Sequence, residues 1–546
     1  MRKSLVIVLL LVSHAVVRAQ QSDMQMELPA QKPVALLPGL GTLHHPVSTK
    51  NQEAQRFFDQ GLRMTFGFNH EEAIRSFQRA AELDPQMAMA WWGVAYALGP
   101  NINVDVDPER EKAAYDAVQK ALALSEDGPA NERAYIEALA TRYANDPAAD
   151  LKKLAVNYKN AMGELSKKYP DDLDAATLYA ESAMDLRPWQ LWSSDGKPAE
   201  GTEEIVATLE SVLRRNPNHP GAIHYYIHAI EASPHPERAL PYAPKLPQLM
   251  PMAGHLVHMP AHIYERVGDF GAASRSNVDA AAADEAYFKA MGAPRIYSML
   301  YAHNLDFLAV ARSMEGRYGE AIAASDKLIA FAQPVVKQMP MFEPILAKSL
   351  LMRIRFNKWD DIMKQPQPDA SLPVTSAIWH LARGLALCAQ GDVGGARVEQ
   401  TALQRTIKSI PPDSMFGLNQ TANVLKVADD VLAARIAEAD RDYFGALAFY
   451  SRAVEDEDAL AYDEPPAWFQ PTREMLGGYH LRRTSVEAAE KVFRADLEKN
   501  RGNGRSLFGL MESLKAQGKS RAAAIVRRQF AKAWKNADTK LSVAEL

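Results

Sequence analysis

A 34-residue period constrains this chain more than any other feature. With Ala54 counted as position 1, Phe57 stands at 4, Gly61 at 8, Ala73 at 20, Phe77 at 24, Ala80 at 27 and Pro85 at 32. Small residues at 8 and 20 let the two helices of a hairpin approach closely. Bulky residues fill the groove to the next hairpin, and the proline ends the second helix. No such hairpin buries its apolar face alone, so the chain has to stack units into one continuous core. Further units begin at Ala88, Leu173, Pro220, Gly254, Ala302, Phe342, Ala377 and Val427. A degenerate pair covers 131–169, and weaker pairs begin near Phe469 and Gly504. Ten to twelve hairpins are expected over 51–535, with 536–546 as a C-terminal tail.

The pattern resembles the tetratricopeptide repeat (TPR) over about residues 54–535, most specifically in the first unit and those from 254, 302 and 377. The resemblance is to an exported, bacterial-type TPR protein. It implies an all-α, right-handed superhelix of antiparallel helix hairpins. It also implies that positions 2, 5, 9 and 12 of each first helix line the concave surface, where TPR proteins bind their ligands.

The start of the chain reads as an export signal over 1–19. Arg2 and Lys3 precede an apolar run from Leu5 to Val17, and Val17-Arg18-Ala19 suits a cleavage site. The run is too short for a bilayer span, and no later run is long enough, so no membrane span is expected. A secreted or periplasmic location follows. Residues 20–50 have no helical period and read as a linker or an arm laid against the first repeat. Cys388 is the single cysteine, which excludes an internal disulfide. The net charge of −5 becomes −8 once Arg2, Lys3 and Arg18 are removed, which argues against a nucleic-acid partner.

Eight of the fourteen histidines fall between His219 and His303. The repeat phase places them. In the unit from Pro220, His224, His228 and Glu231 occupy positions 5, 9 and 12. In the unit from Gly254, His255, His258, His262 and Glu265 occupy 2, 5, 9 and 12. In the unit from Ala302, His303 and Asp306 occupy 2 and 5. Residues at these spacings share one helix face. Imidazoles from neighbouring helices can share one ion or hold two, and zinc, copper and iron each accept imidazole and carboxylate. The expected metal ligands are His224, His228, His258 and His262, then His255 and His303, with Glu231, Glu265 and Asp306 as carboxylates that bind, orient or accept protons. Pro260 either kinks its helix or starts a new one.

Other residues are weaker candidates. His44, His45, His70 and Asn101 could wall the same hollow, and Glu181 and Asp185 share the inner stripe. Met250, Met252 and Met259 would suit Cu(I) but more often pack, and Trp189 and Trp192 are candidate lids. His219 and His235 belong in turns, His380 in the core and His480 at the surface. HYYIH has the histidine spacing of a zinc-protease motif, but Tyr225 replaces its glutamate. Three readings remain: a metal centre that is catalytic by metal-bound water or oxygen chemistry, a metal store, and a scaffold whose groove binds a peptide or an envelope protein.

Overall fold

The computed structural model describes residues 33–292, 297–337 and 339–546. The expected signal sequence lies outside them. The chain is all-α, an array of TPR-type hairpins. The first four are Gln52–Phe66 with His70–Leu83, Ala88–Leu98 with Pro108–Leu124, Ala130–Ala140 with Leu151–Lys168, and Leu173–Met184 with Thr202–Arg215. The last four are Pro373–Gln390 with Val393–Ser409, Thr421–Ala439 with Tyr443–Asp458, Thr472–Arg482 with Val486–Lys499, and Gly504–Ala516 with Ser520–Ala533. The close approach demanded by the period is visible at Gly61, where a Cβ would lie 2.6 Å from the Phe77 ring.

The middle of the array is less regular. Pro220–Ile230 is followed by short turns rather than a full second helix, and the helix around Pro260 is divided into Gly254–His258 and Pro260–Arg266. Pro260 is the first residue of the second piece, and Met259 between the two keeps helical angles (φ −49°, ψ −35°). The proline lacks an N–H, so one backbone hydrogen bond is missing where the helix is divided. Some helices begin earlier than the repeat phase indicates: Tyr297 rather than Ala302, Pro373 rather than Ala377, Thr421 rather than Val427. The period marks packing positions, and helical turns extend beyond the first of them. Pro373 suits a first helical position because its missing N–H has no partner there.

Both ends of the described chain fold back on the array. The segment before Gln52 is an extended arm. Leu37 N–H donates to Gln60 Oε1 at 2.7 Å, Gln60 Nε2 donates to Ala35 O at 2.9 Å, and Leu40 is buried. The tail after Trp534 crosses to residues 316–319, where Tyr318 N–H and Gly319 N–H each donate to Asp538 at 2.8 Å. Leu546 is buried. Arg501 pairs with Glu237 at 3.2 Å, so the C-terminal hairpins lie against the middle of the array.

Candidate metal centre

Local chemistry positions each imidazole. His219 caps the helix Pro220–Ile230: its Nδ1 accepts from Ala222 N–H at 3.1 Å, and Pro220 follows at the first helical position. His224 and His228 then fall one turn apart on that helix. Tyr297 O–H donates to Asp284 Oδ1 at 2.9 Å, and Asn304 Nδ2 donates to Asp284 Oδ2 at 2.7 Å. Gly254 leaves room for that carboxylate, since a Cβ there would lie 1.9 Å from Asp284 Oδ1. His255 sits one residue on.

The structure brings six histidines into two adjoining triads, His224/His228/His255 and His258/His262/His303, with the ligand atoms of each triad all within 4.8 Å of one another. In the first, His224 Nε2 lies 3.1 Å from His255 Nε2. In the second, His258 Nε2 lies 2.7 Å from His262 Nε2 and 3.1 Å from His303 Nε2. Two of the opposite ring nitrogens are tied down, while His255 Nδ1 is buried with no hydrogen-bond partner among the described residues. His224 Nδ1–H donates to Phe66 O at 2.7 Å, and His258 Nδ1–H donates to Asn277 Oδ1 at 2.7 Å. Asn277 is oriented in turn, its Nδ2 donating to Ala273 O at 2.9 Å. Glu231 spans the triads, with Oε1 2.9 Å from His228 Nδ1 and Oε2 2.6 Å from His262 Nδ1. Glu464 also contacts His262 Nδ1. Phe68 packs on the first triad, its ring centroid 4.5 Å from that of His224, and Phe307 on the second, 4.9 Å from both His258 and His262.

These side chains are shut away from water. His228, the most exposed of the five buried imidazoles, is only 6 % accessible, and His303 is partly buried. The stripe is therefore not an open groove, as the sequence pattern alone suggested, because Phe68, Trp189, Phe307 and the insert carrying Glu464 pack against it. Burial, helped by the charges of neighbouring imidazoles, holds His224, His228, His255 and His258 well below the usual histidine range and His303 at about 3. Those five are neutral, with lone pairs available. His262 differs. Burial opposes its charge, but Glu231 and Glu464 outweigh it and raise the ring to about 10. Beside His228 lies a cavity of about 20 Å³ lined by Met184, Trp189, Trp192, His228, Glu231 and Tyr462. That is room for about one water. The Trp189 ring meets His228 edge-on at 5.5 Å, and Trp192 Nε1–H donates to Ala229 O at 2.8 Å.

Other candidates lie elsewhere. Asp306 faces Lys348 Nζ at 2.8 Å, which answers its charge, and it does not join the imidazoles. Glu265 is raised to about 8 by burial and by Glu464, and it lies outside both triads. His44 pairs with Asp59 at 2.8 Å, His45 with Asp174 at 2.7 Å, and His70 Nδ1 with Ala97 O at 3.1 Å, with Asn101 3.4 Å from its Nε2. None of them walls the site. Asp185 pairs with Arg142 at 2.8 Å beside Glu181. Met250 and Met252 pack under Gly41 and Gly39 of the arm, and Met259 is in the core. His235 faces Glu237 in an exposed turn. His380 pairs with Glu399 at 2.6 Å, and His480 is half-buried. Sequence reasoning missed Glu464, Asn277, Phe68 and Phe307. Glu464 stands 202 residues from His262, in an aperiodic Pro-rich insert, and no local pattern connects the two.

No protein-family model matches the chain, and no curated protein matches it. Among solved structures it is similar to the human IFIT1 dimer with m7Gppp-AAAA, at 15% identity over 89% of this chain and 91% of that one (TM-score 0.34). It is also similar to yeast Tom70, at 14% identity over 90% and 100% (TM-score 0.29). The P58(IPK) TPR domain matches at 10% identity over 86% and 99% (TM-score 0.21). The TPR assignment rests on the chain's own hairpins. Among the described residues no helix is long and apolar enough to cross a membrane.

Proposed function

We propose that this chain is an exported TPR-type metalloprotein that holds a transition metal in a buried histidine centre. One observation carries the reading: ring nitrogens face ring nitrogens. With Nδ1 of His258 committed to Asn277 and Nδ1 of His262 to carboxylates, their Nε2 atoms meet at 2.7 Å. The raised His262 can supply one proton to that contact, and a metal ion at the same point would bind both nitrogens instead. His303 Nε2 closes on the same point. A single proton serves two acceptors, whereas a metal ion serves three. Tying the far nitrogen to a carbonyl or carboxylate is also how metal-bound histidines are oriented. Zinc, copper and iron fit an imidazole set without thiolate.

Burial sets this reading above a peptide groove, because a peptide cannot reach imidazoles that are 6 % accessible or less. If the centre is catalytic, metal-bound water is the reactive group and its partner is small. The basic, then apolar, first residues support export. Metal analysis of the untagged mature protein tests the proposal. Stoichiometric transition metal is expected, lost in a His258→Ala/His262→Ala variant that stays helical by circular dichroism. Wild-type protein that is isolated without metal and takes up no Zn(II), Cu(II) or Fe(II) would overturn it.

A further inference from the structure

The geometry points to a centre built for two ions, one per triad, an inference that rests on the metal reading above. An ion with bonds of 2.0–2.1 Å in tetrahedral geometry sets its ligand nitrogens about 3.3 Å apart. The Nε2 pairs at 3.1 Å in the first triad and at 2.7 and 3.1 Å in the second are near that spacing. The six imidazoles converge as two groups of three, and a further group of Glu231, His262 and Glu464 shares His262 with the second. The groups are nevertheless in contact: His228 and His262 have ring centroids 5.5 Å apart, and His255 and His258 5.9 Å apart.

The clearest sign of a joint design is Glu231. One of its oxygens faces Nδ1 of His228 in the first triad and the other faces Nδ1 of His262 in the second. A single carboxylate thus orients one ligand of each ion. It also places a negative charge between two cations, which reduces their mutual repulsion. His228 Nε2 is buried and has no hydrogen-bond partner among the described residues, so the first triad keeps a free donor atom. Each triad has its own apolar wall, Phe68 or Phe307, so neither is an extension of the other.

Equilibrium loading of the full mature chain with Zn(II), followed by desalting and metal analysis, tests the inference. Two zinc ions per chain are expected. A His224→Ala/His255→Ala variant and a His258→Ala/His303→Ala variant should each retain one. The wild-type count needs no variant, and folding of the variants is checked by circular dichroism; one that unfolds is replaced by the single His255→Gln or His303→Gln. A wild-type count of one, or a variant that keeps two, would overturn the two-ion inference while leaving the metal reading in place. A count of zero, repeated with Cu(II) and Fe(II), removes both.

Discussion

Two clusters of buried histidine lie within one short stretch of this array, and they differ in what each ring faces. Around Asp174, every nitrogen that points inward meets a complementary atom. His45 Nδ1 lies 2.7 Å from Asp174 Oδ2, and His219 Nε2, which carries the proton because its Nδ1 caps a helix, donates to Asp174 Oδ1 at 3.0 Å. The ligand atoms of His45, Asp172 and Asp174 also lie within 4.8 Å of one another, but there the imidazoles meet carboxylates, and the cluster pins the N-terminal arm to two hairpins. In the triads, Nε2 of His224 meets that of His255, and Nε2 of His258 meets those of His262 and His303, while His228 Nε2 and His255 Nδ1 have no hydrogen-bond partner among the described residues. Buried polar groups require partners. The first cluster satisfies itself, and the second is where the proposed cation would sit.

The largest contrast expected between the two is in metal content. His45→Ala should leave the metal of the mature protein unchanged, whereas His258→Ala should remove at least the ion of its triad. Equal losses would erase the distinction drawn here. Next comes stability. Asp174→Ala strands two buried histidines and should cost about 3–5 kcal/mol in urea unfolding, the range for breaking a buried ion pair by removing one partner. A loss under about 1 kcal/mol would show that the arm is held by its apolar contacts instead.

The supporting residues of the triads should have smaller effects. Glu464→Gln and Asn277→Ala each remove an orienting partner and should weaken metal binding about 10–100-fold in a competition with a chelator, without loss of helix. Unchanged affinity in both would mean that the rings are positioned by packing alone.

The smallest effect separates the clusters by pH in metal-free protein. Burial opposes the charge on His45, but the Asp174 hydrogen bond and charge raise its folded value. Its stabilisation is complete below about pH 6.5 and fades as the pH rises through that raised value. Five triad histidines are depressed instead, so the unfolded chain takes up their protons first, and stability falls as the pH drops below about 6.5. His262, raised by its carboxylates, offsets only part of this. Hydrogen exchange, corrected for its intrinsic rate, should show that acid lowers the protection of Pro220–Ile230 relative to Leu173–Met184. Parallel changes in the two helices would count against this assignment of partners.

Much of the architecture was legible in the residues themselves. The period of small, bulky and proline positions is a local packing code, repeated in each hairpin, and it placed His224, His228, His255, His258, His262 and His303 on one stripe. Helix starts at Tyr297 and Thr421 were less legible, because a turn added ahead of the first packing position leaves no mark in the period. The partners Phe66 O and Asn277 were hidden for another reason: a carbonyl has no sequence signature, and Asn277 looks like any buried polar residue of a second helix.

The sequence by itself determined an array of helical hairpins and which side chains share its inner face, because both follow from spacings of three, four and 34 residues along one chain. Only the tertiary structure decided that this face is closed. The first hairpin's turn with Phe66 and Phe68, the loop with Trp189 and the insert carrying Glu464 come from distant parts of the chain and meet at the histidines. Their burial removes water and so depresses five rings, while Glu231 and Glu464 raise the sixth. Solvent exclusion and the choice of partner depend on contacts between segments hundreds of residues apart, and no period along the chain records them.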